Sequence, residues 1–397
     1  MATQSIPVPQ TVAKTIPWYL WTLTAAVFLV TLGGQTDVSW HRSIGRDGFW
    51  IPPHMMVYAC GLLAAVSCGY LLLASTFGAH PDLRATSIHI LGLRAPTGVF
   101  LTAWGGLTML ASAPFDNWWH NAYGLDVQVQ SPPHIVLLVG TWAVCLGTLL
   151  LAAAQMNRAR INQASQTLES SLPFERIFLL VGALAVIHLM SYSMSYTFDT
   201  RLHQARPYLV MSTGVPFALA ALSTAAHRRS AAREWTATLL TGLYTASMLA
   251  LVWLLPLIPA HPALGPVYQN VTHLIPPKFP ILLLVPAFAL DLIRQRLPHL
   301  KPLAAAITSG IAWLTLLAAA EWPFATFLMS PHAANRFFGT LYLDFGTPPN
   351  NPDALRIFEN PQHGLHLLAG LATATAAAIL ATCAGNAFGR WMHQIQR

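Results

Sequence analysis

Residues 131–155 read SPPHIVLLVGTWAVCLGTLLLAAAQ, and from Pro133 to Ala154 there is no Asp, Glu, Lys or Arg. An uninterrupted apolar run of this length suits a helix crossing a hydrocarbon layer about 30 Å thick. Working outward, similar blocks occupy approximately residues 17–35, 53–77, 97–114, 175–195, 207–226, 236–258, 279–293, 303–329 and 363–385. The expected fold is therefore all-α, a polytopic integral membrane protein of about ten transmembrane helices arranged as repeated helical hairpins. Composition agrees, with 54% hydrophobic and 9% charged residues against roughly 25% charged in soluble domains. A soluble enzyme, a disordered chain and a disulfide scaffold are excluded. Cys60, Cys68, Cys145 and Cys383 all lie within apolar blocks and read as packing residues. The first block lacks a small-residue cleavage site and reads as a retained helix.

The net charge of +7 reports topology before it reports partners, and nothing points to nucleic acid. Of the 21 basic residues, 14 fall on one set of loops, from Lys14 and Arg84 through Arg228, Arg229 and Arg233 to Arg390 and Arg397. By the positive-inside rule these loops and both termini are cytoplasmic, in a bacterial inner membrane. The opposite, periplasmic loops gather most of the carboxylates and histidines.

Two of those loops repeat each other. Residues 36–58 read TDVSWHRSIGRDGFWIPPHMMVY and residues 115–138 read FDNWWHNAYGLDVQVQSPPHIVLL. In the first, His41 follows Asp37 by four residues and His54 follows by thirteen more; in the second, Asp116, His120 and His134 stand at four and fourteen. On a helical extension of the preceding span, positions four apart share a face, so Asp and His address one point. Pro-Pro suits the first turn of the next helix, where a missing N–H costs nothing, and sets the second His at its mouth. Two imidazoles and a carboxylate with open positions suit iron, copper or zinc. Chance predicts about 0.4 occurrences of Asp-x-x-x-His in a chain of this composition, and three are present.

The third is Asp199 with His203, a weaker candidate because no Pro-Pro-His follows. His363 and His366, three apart at the start of the last block, are a further weak pair, and Gln269 with His273 and Glu359 with His363 are looser echoes. Arg46 and Asp47 could orient a ligand imidazole from a second layer. Trp40, Trp50, Trp118 and Trp119 flank the motifs as an interfacial belt or as an apolar wall around a substrate. Glu321, inside an apolar block, is a costly intramembrane carboxylate.

Asp37-Val-Ser-Trp-His41, then Arg46-Asp47, then Pro53-His54 resembles the metal-site segment of the C subunit of copper membrane monooxygenases, the particulate methane and ammonia monooxygenase family. Asp116, His120 and His134 fall where that subunit has a second site, with Asp in place of the family's Asn. The resemblance covers roughly residues 15–160. It implies that each triad binds copper and that the partners include a hydrophobic subunit and a subunit with a cupredoxin part. Asp116 adds a negative charge to the second site.

Two halves follow, a metal-binding transmembrane half at residues 1–174 and a second transmembrane half at 175–397. The expected function is copper-dependent oxidation of a small apolar substrate by dioxygen at the periplasmic side, with electrons from a quinol or a partner protein. The alternatives are a metal carrier or assembly factor, and a non-catalytic subunit of a membrane oxidase or monooxygenase complex.

Overall fold

The protein is described by a computed structural model covering residues 15–45, 48–78, 81–124, 131–162, 171–193, 202–227, 235–265, 267–342 and 361–396. Helices run in the order α1 (Trp18–Ser43), α2 (Pro52–Phe77), α3 (Pro81–Ala85), α4 (Thr97–Tyr123), α5 (Pro132–Asn162), α6 (Leu172–Ser193), α7 (Ala205–Ala226), α8 (Thr236–Leu254), α9 (Leu284–Arg296), α10 (Pro302–Leu328) and α11 (Gly364–Gln394). Among the described residues, eight are long and apolar enough to cross a membrane, namely α2, α4, α5, α6, α7, α8 with its terminal 3-10 turn, α10 and α11. The chain is a membrane protein by this measure. α1 is as long as α2, but its last turns, from Gln35 to Ser43, are polar and charged. α9 has only 13 residues, about 20 Å of helix. The apolar run at 279–293 is thus helical only from Leu284, because Pro276, Pro277 and Pro280 bar the preceding turns.

One small β-element interrupts the all-helical plan. Strands β1 (Ile88–Ile90) and β2 (Leu93–Ala95) pair antiparallel between α3 and α4. Leu91 and Gly92 both take positive φ at the turn, the two-residue hairpin geometry that matches strand twist.

Pairing along the chain builds the first half. α1 packs on α2, α2 on α4 and α4 on α5, while α6 contacts both α1 and α5. The α4–α5 approach is close because glycines face each other across it. A Cβ on Gly105 would lie 2.7 Å from the Gly140 carbonyl, and one on Gly140 would lie 2.8 Å from that of Gly105. In lipid, where burial of apolar surface drives no association, such small-residue contact supplies the packing. In the second half α7 lies along α11, α10 contacts α11 and α9, and α8 contacts α6 and α9. Cys60, Cys68 and Cys145 are buried free thiols and Cys383 is partly buried.

α6, which begins before residue 175, packs on α7 and α8 as well as on α1 and α5, and further contacts tie the two sets of helices together at both ends. At one end Asn157 Nδ2 of α5 donates to the Met392 and Ile395 carbonyls at 2.8 and 2.9 Å. There Arg160 of the same helix donates to the Ala225 and Ala226 carbonyls of α7's last turn at 3.1 and 2.9 Å. At the other end an irregular strap, described at residues 258–265 and 267–283, runs from α8 to α9 and lies against the C-terminal turns of α1.

Candidate metal centre

α1 continues as regular helix through Asp37 and His41, so the two side chains rise on one face. Pro52 and Pro53 open α2 without a lost hydrogen bond and deliver His54 in its first turn. Gly33, one turn before Asp37, is where the helices meet. A Cβ there would stand 3.0 Å from the Pro53 carbonyl, so a side chain at this position would push the α2 mouth back by a few tenths of an ångström. His41 Nε2 lies 3.5 Å from Asp37 Oδ2, and His54 Nε2 lies 3.3 Å from Asp37 Oδ1. The three donor atoms all fall within 4.8 Å of one another.

The second hairpin reproduces this arrangement. α4 carries Asp116 and His120 in its final turns, and α5 opens on Pro132 and Pro133 before His134. His120 Nε2 lies 3.3 Å from Asp116 Oδ2, and His134 Nε2 lies 3.5 Å from Asp116 Oδ1. In both triads the carboxylate therefore stands centrally, one oxygen toward each imidazole. The closure of all three donors within 4.8 Å holds, among the described residues, for the first triad.

These four separations have chemical content. Charge-assisted N–H···O bonds settle at about 2.7–2.9 Å, shorter than any of them. Donors bound at about 2.0–2.1 Å around a tetrahedral ion are about 3.3 Å apart, which is the spacing found. The first triad fits a small transition-metal ion, and the second has the same Asp–His separations without the closure of all three donors.

The surroundings of the triads differ. Around the first, Ser39 Oγ donates to the Ile275 carbonyl at 2.6 Å, Arg42 Nη1 donates to the Pro276 carbonyl at 3.0 Å, and the Ile275 N–H donates to Ser43 Oγ at 2.7 Å. The Ala263 and Leu264 N–H groups both donate to the Ile44 carbonyl, at 2.8 and 3.0 Å. Ser39, Arg42 and Ser43 are all buried. The strap is itself held by His273, whose Nε2 is 2.6 Å from the Tyr342 hydroxyl. Burial pushes the His273 pKa down from its usual 6.5, with Arg336 adding to the effect. Farther along, the Leu282 N–H donates to Glu321 Oε1 of α10, and Glu321 is fully buried.

Around the second triad, Trp118, Asn121 and Ala122 occupy the places of Ser39, Arg42 and Ser43, and all three are exposed. Asp116 and His134 are 19% and 32% exposed at their side chains; Asp37 and His54 are 26% and 16% exposed. Openness at the second triad thus falls on the α5 histidine. Trp50 and Trp118 are 76% and 54% exposed, which favours the interfacial belt over a closed apolar wall. Trp40 and Trp119 are half-buried, and the Trp40 indole N–H is buried without a partner.

The weaker candidates lie elsewhere. His203 is buried at the start of α7, its Nε2 3.0 Å from both the Trp322 carbonyl and Thr326 Oγ1 of α10. Its ring therefore faces α10. Asp199 lies outside the described residues, as do Arg46, Asp47 and Glu359. His363 precedes α11 and His366 sits in its first turn, both exposed. The residues that sequence reasoning passed over are Ser39, Arg42 and Ser43. The signal was available, since these are positions where the two repeats differ.

No family model, no curated protein and no solved structure matches this chain.

Proposed function

We propose that the chain is a copper-binding membrane protein that oxidises a small apolar substrate with dioxygen at Asp37, His41 and His54, with Asp116, His120 and His134 as a second, neighbouring copper site. The observation that carries the metal reading is the doubled geometry, a central carboxylate with one oxygen toward each of two imidazole Nε2 atoms, built twice on independent hairpins. Copper, and the oxidative chemistry it supplies when bound, follow from the resemblance to the C subunit of the copper membrane monooxygenases.

This chain's residues would contribute as follows. Asp37 and Asp116 orient two histidines each and offset the charge of a bound cation. The strap fixes α1 so that the Asp37–His41 pair cannot swing away from His54. Exposed aromatics at the helix mouths suit the level of lipid headgroups and the approach of an apolar substrate from the bilayer. α1 and the stretch from Phe279 through α9 serve as two further crossings, ten in all, which brings the triads to the periplasmic face and both termini to the cytoplasm of an inner membrane. Electrons come from a quinol or a cupredoxin-type subunit.

One observation favours a carrier or assembly role at the second triad. Among the described residues no strap contacts it, and His134 is its most exposed ligand candidate, as release of a metal requires. The test is dioxygen uptake by copper-loaded protein given an artificial reductant and a small alkene. Substrate-dependent uptake that disappears in His41→Ala supports oxidation. Tight copper binding with no substrate-dependent uptake supports the carrier.

A further inference from the structure

Far from the triads, α7, α8, α9, α10 and α11 converge on a cavity of about 310 Å³, within the range of small-molecule sites. It lies at the opposite end of the helices. The C-terminus of α8 adjoins the strap that grips α1, whereas Thr236 and Ala237 at its N-terminus line the cavity.

The polar groups of the wall are unevenly matched. Asp291 of α9 is buried, and its carboxylate is fully engaged by the start of α8. Oδ1 accepts from the Ala237 N–H at 3.2 Å, and Oδ2 accepts from the Thr238 N–H at 2.8 Å and from Thr238 Oγ1 at 2.7 Å. The negative charge is thus set against the positive end of a helix. Arg294, one turn on, gives Nη2 to Thr224 Oγ1 at 3.2 Å, and that hydroxyl donates to Asn386 Oδ1 at 2.9 Å. A guanidinium carries five N–H donors, so this bond leaves most of the Arg294 fork on the cavity wall, with the Asn386 NH2 group nearby. Ser223 on the same wall has a buried hydroxyl with no partner. Among the described residues the wall is therefore rich in donors around Arg294, and the Asp291 carboxylate is already satisfied. Leu219, Leu290 and Leu297 add apolar surface beside these groups.

We propose that this cavity binds a phosphate group through Arg294, Asn386 and Ser223. A planar guanidinium pairs two N–H groups with phosphate oxygens, and basic pockets between transmembrane helices accept phospholipid headgroups. The apolar lining suits the glycerol and acyl portion of a lipid. A free phosphate ion would use the same donors without that lining.

The test uses the full chain in mild detergent. Native mass spectrometry and thermal melts are run with phosphatidylglycerol, phosphatidylcholine or inorganic phosphate added. A retained phospholipid and a larger rise in Tm with phosphatidylglycerol than with phosphatidylcholine are expected. In Arg294→Gln the retained lipid should vanish and the apparent affinity for phosphatidylglycerol should fall about tenfold or more, the loss of a charged hydrogen bond. Stabilisation by inorganic phosphate through Arg294, with no preference among lipids, supports the phosphate site and assigns it to a free ion. Should Arg294→Gln fail to fold, Asn386→Ala removes one donor and should weaken binding several-fold. No stabilisation by either phosphatidylglycerol or inorganic phosphate, or phosphatidylglycerol binding unchanged in the variant that folds, overturns the proposal.

Discussion

The mouth of the α1–α2 hairpin and the mouth of the α4–α5 hairpin present the same three residue types at nearly the same spacing and with matching Asp–His distances, yet among the described residues only the first is gripped from outside. The first triad stands on a helix end whose opposite face, Ser39, Arg42 and Ser43, is bonded to the strap from the second half of the chain. The second stands on a helix end whose corresponding face, Trp118, Asn121 and Ala122, is exposed. Local sequence therefore sets the donor geometry, and long-range packing sets how rigidly it is held. A preorganised metal site needs both, because supporting contacts fix the ligands' orientation.

That contrast is open to attack at several points. The largest effect should come from the central carboxylates. Asp37→Ala should weaken metal at the first triad by more than about 100-fold, beyond what loss of a supporting contact costs, and leave the second unchanged; Asp116→Ala should do the reverse. Metal titrations of each variant check this, and coupled loss in both would mean one shared cluster. Next comes Arg42→Ala, which deprives the buried Pro276 carbonyl of its donor at a cost of about 1–3 kcal/mol. Faster hydrogen exchange across residues 258–283 and weaker metal at the first triad alone are expected. Asn121→Ala, its counterpart, should change neither.

The triads were legible because their logic is local. An i, i+4 pair on a helix and a Pro-Pro-His at the next helix start are fixed by helix geometry and proline chemistry. The helices were legible from apolar runs long enough to span a bilayer. The strap was not, because it is bound mostly through backbone carbonyls and amides, such as those of Ile44, Ile275 and Pro276, which carry no residue signature. Its apolar tail, Phe279 to Leu283, merged with α9 into one apparent span, although Pro276, Pro277 and Pro280 argued against a helix there. The β1–β2 hairpin was missed as well, its strands being three residues each and too short for periodicity to register.

Smaller effects sharpen the comparison further. Glu321→Leu would leave the Leu282 N–H without its acceptor and loosen the far end of the strap, whereas Glu321→Gln keeps an oxygen there. Melting temperatures should fall for the first and change little for the second. Gly33→Ala should push the Pro53 carbonyl back by a few tenths of an ångström and weaken metal at the first triad several-fold, read by the same titrations. Acidification should act least. The folded-state pKa of His273 lies below its ordinary 6.5, so its contribution to strap stability is present above that value and is lost as pH falls below it. Protection factors of the strap amides, exchange rates taken relative to the intrinsic rate at each pH, should fall on going below pH 6.5, and in His273→Gln this dependence should disappear.

The most direct measurement is elemental analysis of the detergent-purified protein for copper, iron and zinc together, on the native chain, His41→Ala, His120→Ala and the double variant. One equivalent of copper at each triad is expected, with each single variant losing its own share and the double variant holding none. Metal that survives the double substitution would contradict the ligand assignment, and zinc alone in the native protein would contradict the oxidative role.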